Sequence, residues 1–254
     1  MVRGLDLFRE SFAAHSHQYV LIGGTAATIA MEDAGLAFRA TKDLDVVLHI
    51  EAIDAGFGET FWRFVEAGQY EIRQASATGK PTFYRFQKPT DARYPAMLEL
   101  FCRAPDGIEL ADGSHLTPIP IDEAVASLSA ILLDDDYYAF IMGGRRETDG
   151  LPWVGEDRLI PLKAVAWLDL TARLESGDAV DAKNIRKHAN DVFRLAQLLA
   201  PETRIAVAER ISKDLARFLG RIAAEPAMDP AALGLVGTQA EIAERIRRAY
   251  GISS

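Results

Sequence analysis

Apolar positions follow two rhythms along this chain. Residues 19–22 and 43–50 are short apolar runs, residues 81–87 alternate, and residues 96–103 run apolar around one charge, which is strand behaviour. Residues 5–15, 26–34 and 51–67 instead have apolar side chains three and four apart, the spacing of a helix with one buried side. The last of these gathers Ile53, Phe57, Phe61, Phe64 and Val65, with Gly68 placed to end it. From residue 158 only the helical rhythm persists. It predicts helices over 159–174, 182–199, 204–223 and 238–250, broken at Gly177, at Pro201 and in residues 225–234. Mixed elements followed by helices alone predict an α/β (α+β) chain. Residues 1–157 then form a mixed sheet with flanking helices, and residues 158–254 a helical bundle.

The middle of the chain is less regular. Residues 70–74 read as a further short strand, residues 116–121 as an edge strand holding two prolines, and residues 121–133 as a helix capped by Asp122. The run Asp134, Asp135, Asp136 reads as a solvated loop. Residues 137–142 and 151–154 are expected to pair as a hairpin, with Arg145 and Arg146 at its tip. Pro161 is expected in the first turn of its helix. His15 and His17 read as a solvated helix end.

Composition narrows the class. The chain has 254 residues, 49% of them hydrophobic, which is enough for a substantial core. Its 37 acidic and 28 basic residues leave a net charge of −9, which argues against a surface coated in positive charge for nonspecific nucleic-acid binding. A local basic groove is compatible with that balance. Cys102 is the single cysteine, so an internal disulfide and a cysteine-rich metal site are both excluded. The first twenty residues alternate charged and apolar types, unlike a secretion signal, and no apolar run approaches the roughly 20 residues of a membrane span. The expectation is a soluble, cytoplasmic protein without a membrane partner.

The chemistry concentrates in residues 19–50. Gly23 and Gly24 stand between the first apolar run and a helix, where glycine lets a ligand approach the backbone and the free N–H groups of a helix start suit a phosphate. Thr25 adds a hydroxyl there. Further on, Asp43 and Asp45 are two apart at the start of a strand, so both project from one face while Leu44 points into the core. Two carboxylates so placed suit a hard divalent cation that completes its shell with water and substrate phosphates. Phosphate cradle and acidic pair together suggest metal-assisted nucleotidyl transfer. Glu99, between Leu98 and Leu100, is a charge inside an apolar strand. It needs a partner or a metal if buried, or else it faces water from an edge strand.

This arrangement resembles the nucleotidyltransferase superfamily related to DNA polymerase beta, whose pattern is an apolar residue, a glycine pair, a helix and then Asp-x-Asp. The fuller match, Gly23-Gly24-Thr25 with Arg39-x-Thr41-x-Asp43-x-Asp45, resembles its AbiEii/AbiGii toxin-type branch. The resemblance implies a magnesium- or manganese-dependent enzyme moving a nucleoside monophosphate from an NTP to an acceptor. It assigns Asp43, Asp45 and Glu99 to the metal, and Gly23, Gly24, Thr25, Arg39, Thr41 and Lys163 to the nucleotide. Asp43, Asp45, Glu99, Lys163 and Asp191 are then the catalytic set. In the helical half, Lys163 matches the family's helix-opening lysine, Arg173 an arginine further along, and Lys187 with Asp191 a later basic-x-x-Asp element. The family often has Lys-Asp before that last Asp, and this chain departs from it with Lys187-His188-Ala189-Asn190-Asp191. The acceptors implied are a tRNA, a protein or a small molecule, and a toxin role implies an antitoxin partner. The alternatives are a non-catalytic nucleotide- or partner-binding module on the same fold and a small-molecule nucleotidyltransferase. A metal-dependent phosphohydrolase is less favoured because no His-Asp doublet is present.

Overall fold

A computed structural model describes residues 2–49, 51–72, 83–101, 134–224 and 229–253. The expected loop at 76–80, edge strand at 116–121 and helix at 121–133 lie outside the described residues, as does Cys102. The described residues of Met1–Val125 and Arg145–Gly155 form one compact unit, and those of Ala126–Gly144 and Glu156–Ser254 form a second. The architecture is α+β: a mixed sheet with flanking helices, and further helices toward the C-terminus. The long crossing from the first unit to the second falls after Gly155, two residues before the expected boundary.

The first unit is built on seven described strands, β1 (Tyr19–Ile22), β2 (Asp43–Leu48), β3 (Glu71–Ile72), β4 (Phe83–Gln87), β5 (Met97–Phe101), β6 (Arg145–Thr148) and β7 (Leu151–Val154). Their order in the sheet is β3-β4-β5-β2-β1-β7-β6. β1 and β2 are antiparallel, β2 and β5 parallel, and β4 and β5 antiparallel. β1 is buried along its whole length, as the uninterrupted apolar run Tyr-Val-Leu-Ile requires of an interior strand.

Helix α1 (Leu5–Ser11), a 3₁₀ turn (Ala13–Gln18) and helix α3 (Ala55–Gly68) cover the sheet with aromatic rings. Phe8 and Phe12 stack at 4.3 Å, and Phe57 and Phe64 close on Phe12 at 5.5 Å each. Such offset and edge-to-face pairs add to the burial of large rings. His15, expected at a solvated helix end, is half-buried, its ring between Gln18 Oε1 (3.2 Å) and Thr60 Oγ1 (3.1 Å). Asp54 opens α3 by accepting from the N–H of Phe57, a bond that holds its carboxyl below the ordinary value. The helix ends at Gly68 as expected, with Gly68 its last residue rather than the one just past it, and Gln69 follows in the left-handed region with φ 49°. Gly68 also answers a steric demand, since a Cβ there would come within 2.5 Å of the Tyr70 ring.

The hairpin differs from its expected form. Residues 135–142 are helix α4 (Asp135–Met142), not a strand, and Asp134 caps it by accepting from the N–H groups of Asp136 and Tyr137. The three aspartates therefore form a helix start, where carboxylates are favoured by the dipole. The hairpin is β6 with β7, and Asp149-Gly150 is its turn, with φ 51° and 78° as a type I′ turn demands. Arg145 and Arg146 lie on β6 rather than at the tip. Arg145 donates to Ser16 O and pairs with Glu147, and Arg146 lies over the Trp153 ring at 5.5 Å.

The second unit joins α4 to helices α5 (Glu156–Glu175), α6 (Ala182–Leu195), α7 (Glu209–Ala224) and α8 (Gln239–Tyr250). The α7 and α6 sequences bury one apolar side each, α7 through Ile211, Leu215, Phe218 and Leu219. Tyr137 of α4 donates to Asp214 of α7 at 3.1 Å. Pro161 sits inside α5, five residues past its first, against the expectation of a first-turn position. Proline has no N–H to offer the carbonyl four residues back, Asp157. The Tyr250 hydroxyl donates to that carbonyl instead, at 2.8 Å. Among the described residues, no helix is long and apolar enough to cross a membrane.

Candidate functional site

Three short segments of the first unit meet at one end of the sheet: the start of helix α2 (Gly23–Asp33), the start of β2, and the middle of β5. β1 delivers the chain to Gly23, which takes φ +67° and turns directly into the helix. The glycine pair is thus the first turn of α2 rather than a separate loop. Both glycines are sterically required. A Cβ on Gly23 would come within 1.7 Å of Asp45 Oδ2, and one on Gly24 within 2.5 Å of Thr41 Oγ1.

Asp45 is opposite Ile22 in the antiparallel register and opposite Glu99 in the parallel one. Its carboxylate accepts from the Gly24 N–H at 3.3 Å, so an acid of the protein itself rests on the start of α2. Asp45 and Glu99 are both buried and hydrogen-bonded to each other. Burial, followed by the neighbouring Asp45 charge, pushes the Glu99 carboxyl well above the ordinary value. The Arg85 guanidinium pulls the other way without outweighing them. Arg85 is opposite Glu99 on β4 and donates to Oε1 from both Nε (2.8 Å) and a terminal nitrogen (2.6 Å).

The other expected residues divide. Asp43 is half-buried on the same face of β2 as Asp45, opposite Met97 rather than an acid. Among the described residues, no three His, Cys, Asp or Glu side chains are grouped to hold a metal ion. Asp45 and Glu99 are the acids brought together. Thr25 is fully buried and its hydroxyl donates to the Asp43 carbonyl at 2.8 Å, tying the helix start to the acidic strand. That occupies the hydroxyl assigned to the nucleotide from the sequence. Thr41 and Arg39 are both half-buried; Thr41 packs against Gly24, and Arg39 lies over the Phe38 ring at 5.3 Å.

Lys163 and Asp191 belong to the second unit and meet there. Lys163 of α5 is 7% exposed, Asp191 of α6 is fully buried, and their charged atoms are 3.4 Å apart. Arg194 reaches the second Asp191 oxygen at 3.8 Å. Arg173 pairs with Asp178 at 3.2 Å at the end of α5. Lys187 is half-buried on α6.

Sequence reading missed Arg85. Its only signal was its place in the alternating run Thr-Phe-Tyr-Arg-Phe, and a strand pattern does not reveal which partner residue lies opposite.

No family model and no curated protein matches this chain.

The donor set suits a hard divalent cation. Its atoms are carboxylate oxygens, the ligand type such a cation takes. Asp45 and Glu99 would hold such an ion, with Asp43 on the same strand face.

Proposed function

We propose that this chain is a magnesium- or manganese-dependent nucleotidyltransferase. One observation carries the reading: Asp45, seated on the glycine-started helix α2, lies in register beside the buried Glu99 of β5. A buried acid pair of this kind is costly unless a cation or a chemical step uses it.

In this reading the NTP phosphates lie over Gly23, which is partly open to solvent, beside the Asp45 carboxylate that rests on the Gly24 N–H. Thr41, packed on Gly24, supplies the hydroxyl on that side, because Thr25 is engaged within the fold. Asp43 and Asp45 would hold the ion, and Glu99 would either complete the site or take the proton of the acceptor hydroxyl. An ion held there would supply positive charge against the charge that develops on the phosphoryl group. The acceptor oxygen forms its bond to the α-phosphorus as the bond to the β-phosphate oxygen breaks, and pyrophosphate leaves with that electron pair. The acceptor is a tRNA, a protein or a small molecule, the compartment is the cytoplasm, and an antitoxin protein is the implied partner.

The test is transfer of label from α-labelled NTPs, with magnesium or manganese, to RNA and protein fractions. Asp45→Asn removes the ligand with little change of shape. We expect it to fold as the wild type and to lose transfer by about a thousandfold or more, the scale of removing a group that stabilises transition-state charge. Transfer at the wild-type rate in Asp45→Asn overturns the assignment. NTP binding without transfer to any acceptor, under either ion, favours the non-catalytic module.

A further inference from the structure

Arg85 has no place in the mechanism above, yet it makes the shortest charged contact at the site. Its side chain is 15% exposed, and it places two donors on a single oxygen of Glu99, at 2.8 and 2.6 Å. The cross-strand register fixes this geometry, because Arg85 is directly opposite Glu99 while Asp45 is directly opposite Glu99 on the other side. The three charged groups therefore form one row across three adjacent strands, β4, β5 and β2. Two are acids and one is a permanent cation.

Such a row has a definite electrostatic character. A single guanidinium does not neutralise two carboxylates, but it lowers the cost of holding both out of water. It binds one Glu99 oxygen through two nitrogens and so restrains that side chain at its place opposite Asp45. A site of this kind is already assembled before a divalent ion enters it, which reduces the reorganisation that binding requires.

We propose that Arg85 is a positioning residue, the resident counter-cation that keeps the Asp45–Glu99 pair assembled before divalent metal binds. This rests on the metal reading of the site given above. It follows that removing the Arg85 charge makes the first unit depend on the divalent ion for stability.

The experiment compares melting temperatures in EDTA and in saturating Mn2+, with Mn2+ binding followed separately by electron paramagnetic resonance. Arg85→Met leaves two buried acids without their cation, and we expect its Tm in EDTA to fall by about 10 °C. Mn2+ should then raise the Tm of Arg85→Met by at least about 5 °C more than it raises that of the wild type. Arg85→Lys keeps the charge and should show the wild-type Mn2+ shift; it also tests the idea if Arg85→Met fails to fold. The double variant Arg85→Met with Glu99→Gln should recover stability in EDTA and lose the extra Mn2+ shift. Equal Mn2+ shifts in the wild type and Arg85→Met, or an unchanged Tm in EDTA, overturn the role of Arg85 alone. Loss in Arg85→Lys as large as in Arg85→Met assigns Arg85 to packing and also overturns it. Absence of Mn2+ binding by the wild type overturns the metal reading, and this proposal with it.

Discussion

Each unit buries an acid beside basic side chains, but with opposite charge balance. In the sheet, Asp45 and Glu99 are buried side by side, and Arg85 pairs with Glu99. In the helical unit, the fully buried Asp191 has Lys163 at 3.4 Å and Arg194 at 3.8 Å. The second arrangement neutralises itself and behaves as a structural tie between α5 and α6. The first brings two acids together at the start of a helix, one of them with its carboxyl raised by burial and by the charge of the other. A buried acid pair costs stability, which is why the proposed cation is placed there.

Three substitutions test that contrast. Lys163→Met should have the largest effect on stability, because it removes the nearer cation from the fully buried Asp191. We expect a loss of about 3 kcal/mol, read as a shift of the urea midpoint. A loss no larger than that of an exposed lysine would show that the pair is not the tie described.

The second test uses pH. The folded Glu99 carboxyl titrates above the ordinary value of 4.5, so the folded state holds a proton that the unfolded chain has released. Its favourable contribution is therefore full below 4.5 and is lost as pH rises through the folded value. Melting curves across pH should show the wild type losing stability on this limb relative to Glu99→Gln, in which the limb flattens. An identical pH profile for the two proteins would show that burial beside Asp45 does not raise the Glu99 carboxyl in the fold.

The third effect is smaller. Tyr250→Phe removes the donor that reaches the Asp157 carbonyl opposite Pro161, and should cost about 1 kcal/mol. Calorimetry would detect it, and no change in nucleotidyl transfer is expected.

Much of the site was legible because its residues are close in sequence. Gly23, Gly24, Asp43 and Asp45 lie within one strand–helix–strand stretch, and period-two alternation fixes which face each aspartate takes. Glu99 was detectable as a charge between two leucines. What strand patterns do not carry is register, so nothing along the chain showed Arg85 opposite Glu99 or Thr25 donating to the Asp43 carbonyl. The hairpin failed for a different reason. Asp149-Gly150 is a strong two-residue turn signal, but the apolar residues of 137–142 competed for the strand assignment. Those residues fit a helical stripe equally well, and the Asp134 cap decides between them. Pro161 misled because proline was assigned by local backbone rules, whereas its missing donor is replaced by Tyr250, almost ninety residues away in the chain.

The place of β7 in the sheet has a consequence for how the chain is made. β1 emerges among the first 22 residues, yet its second neighbour in the sheet ends at Val154. At ribosomal speeds of about 5–20 residues per second, one side of β1 waits roughly 7 to 26 seconds for its partner. Over that interval an apolar strand has an open hydrogen-bonding edge, the condition that invites pairing with another chain. For a nascent polypeptide, the Asp149-Gly150 turn is therefore the step that closes the window: it is short, it forms locally, and it brings β7 in already paired with β6.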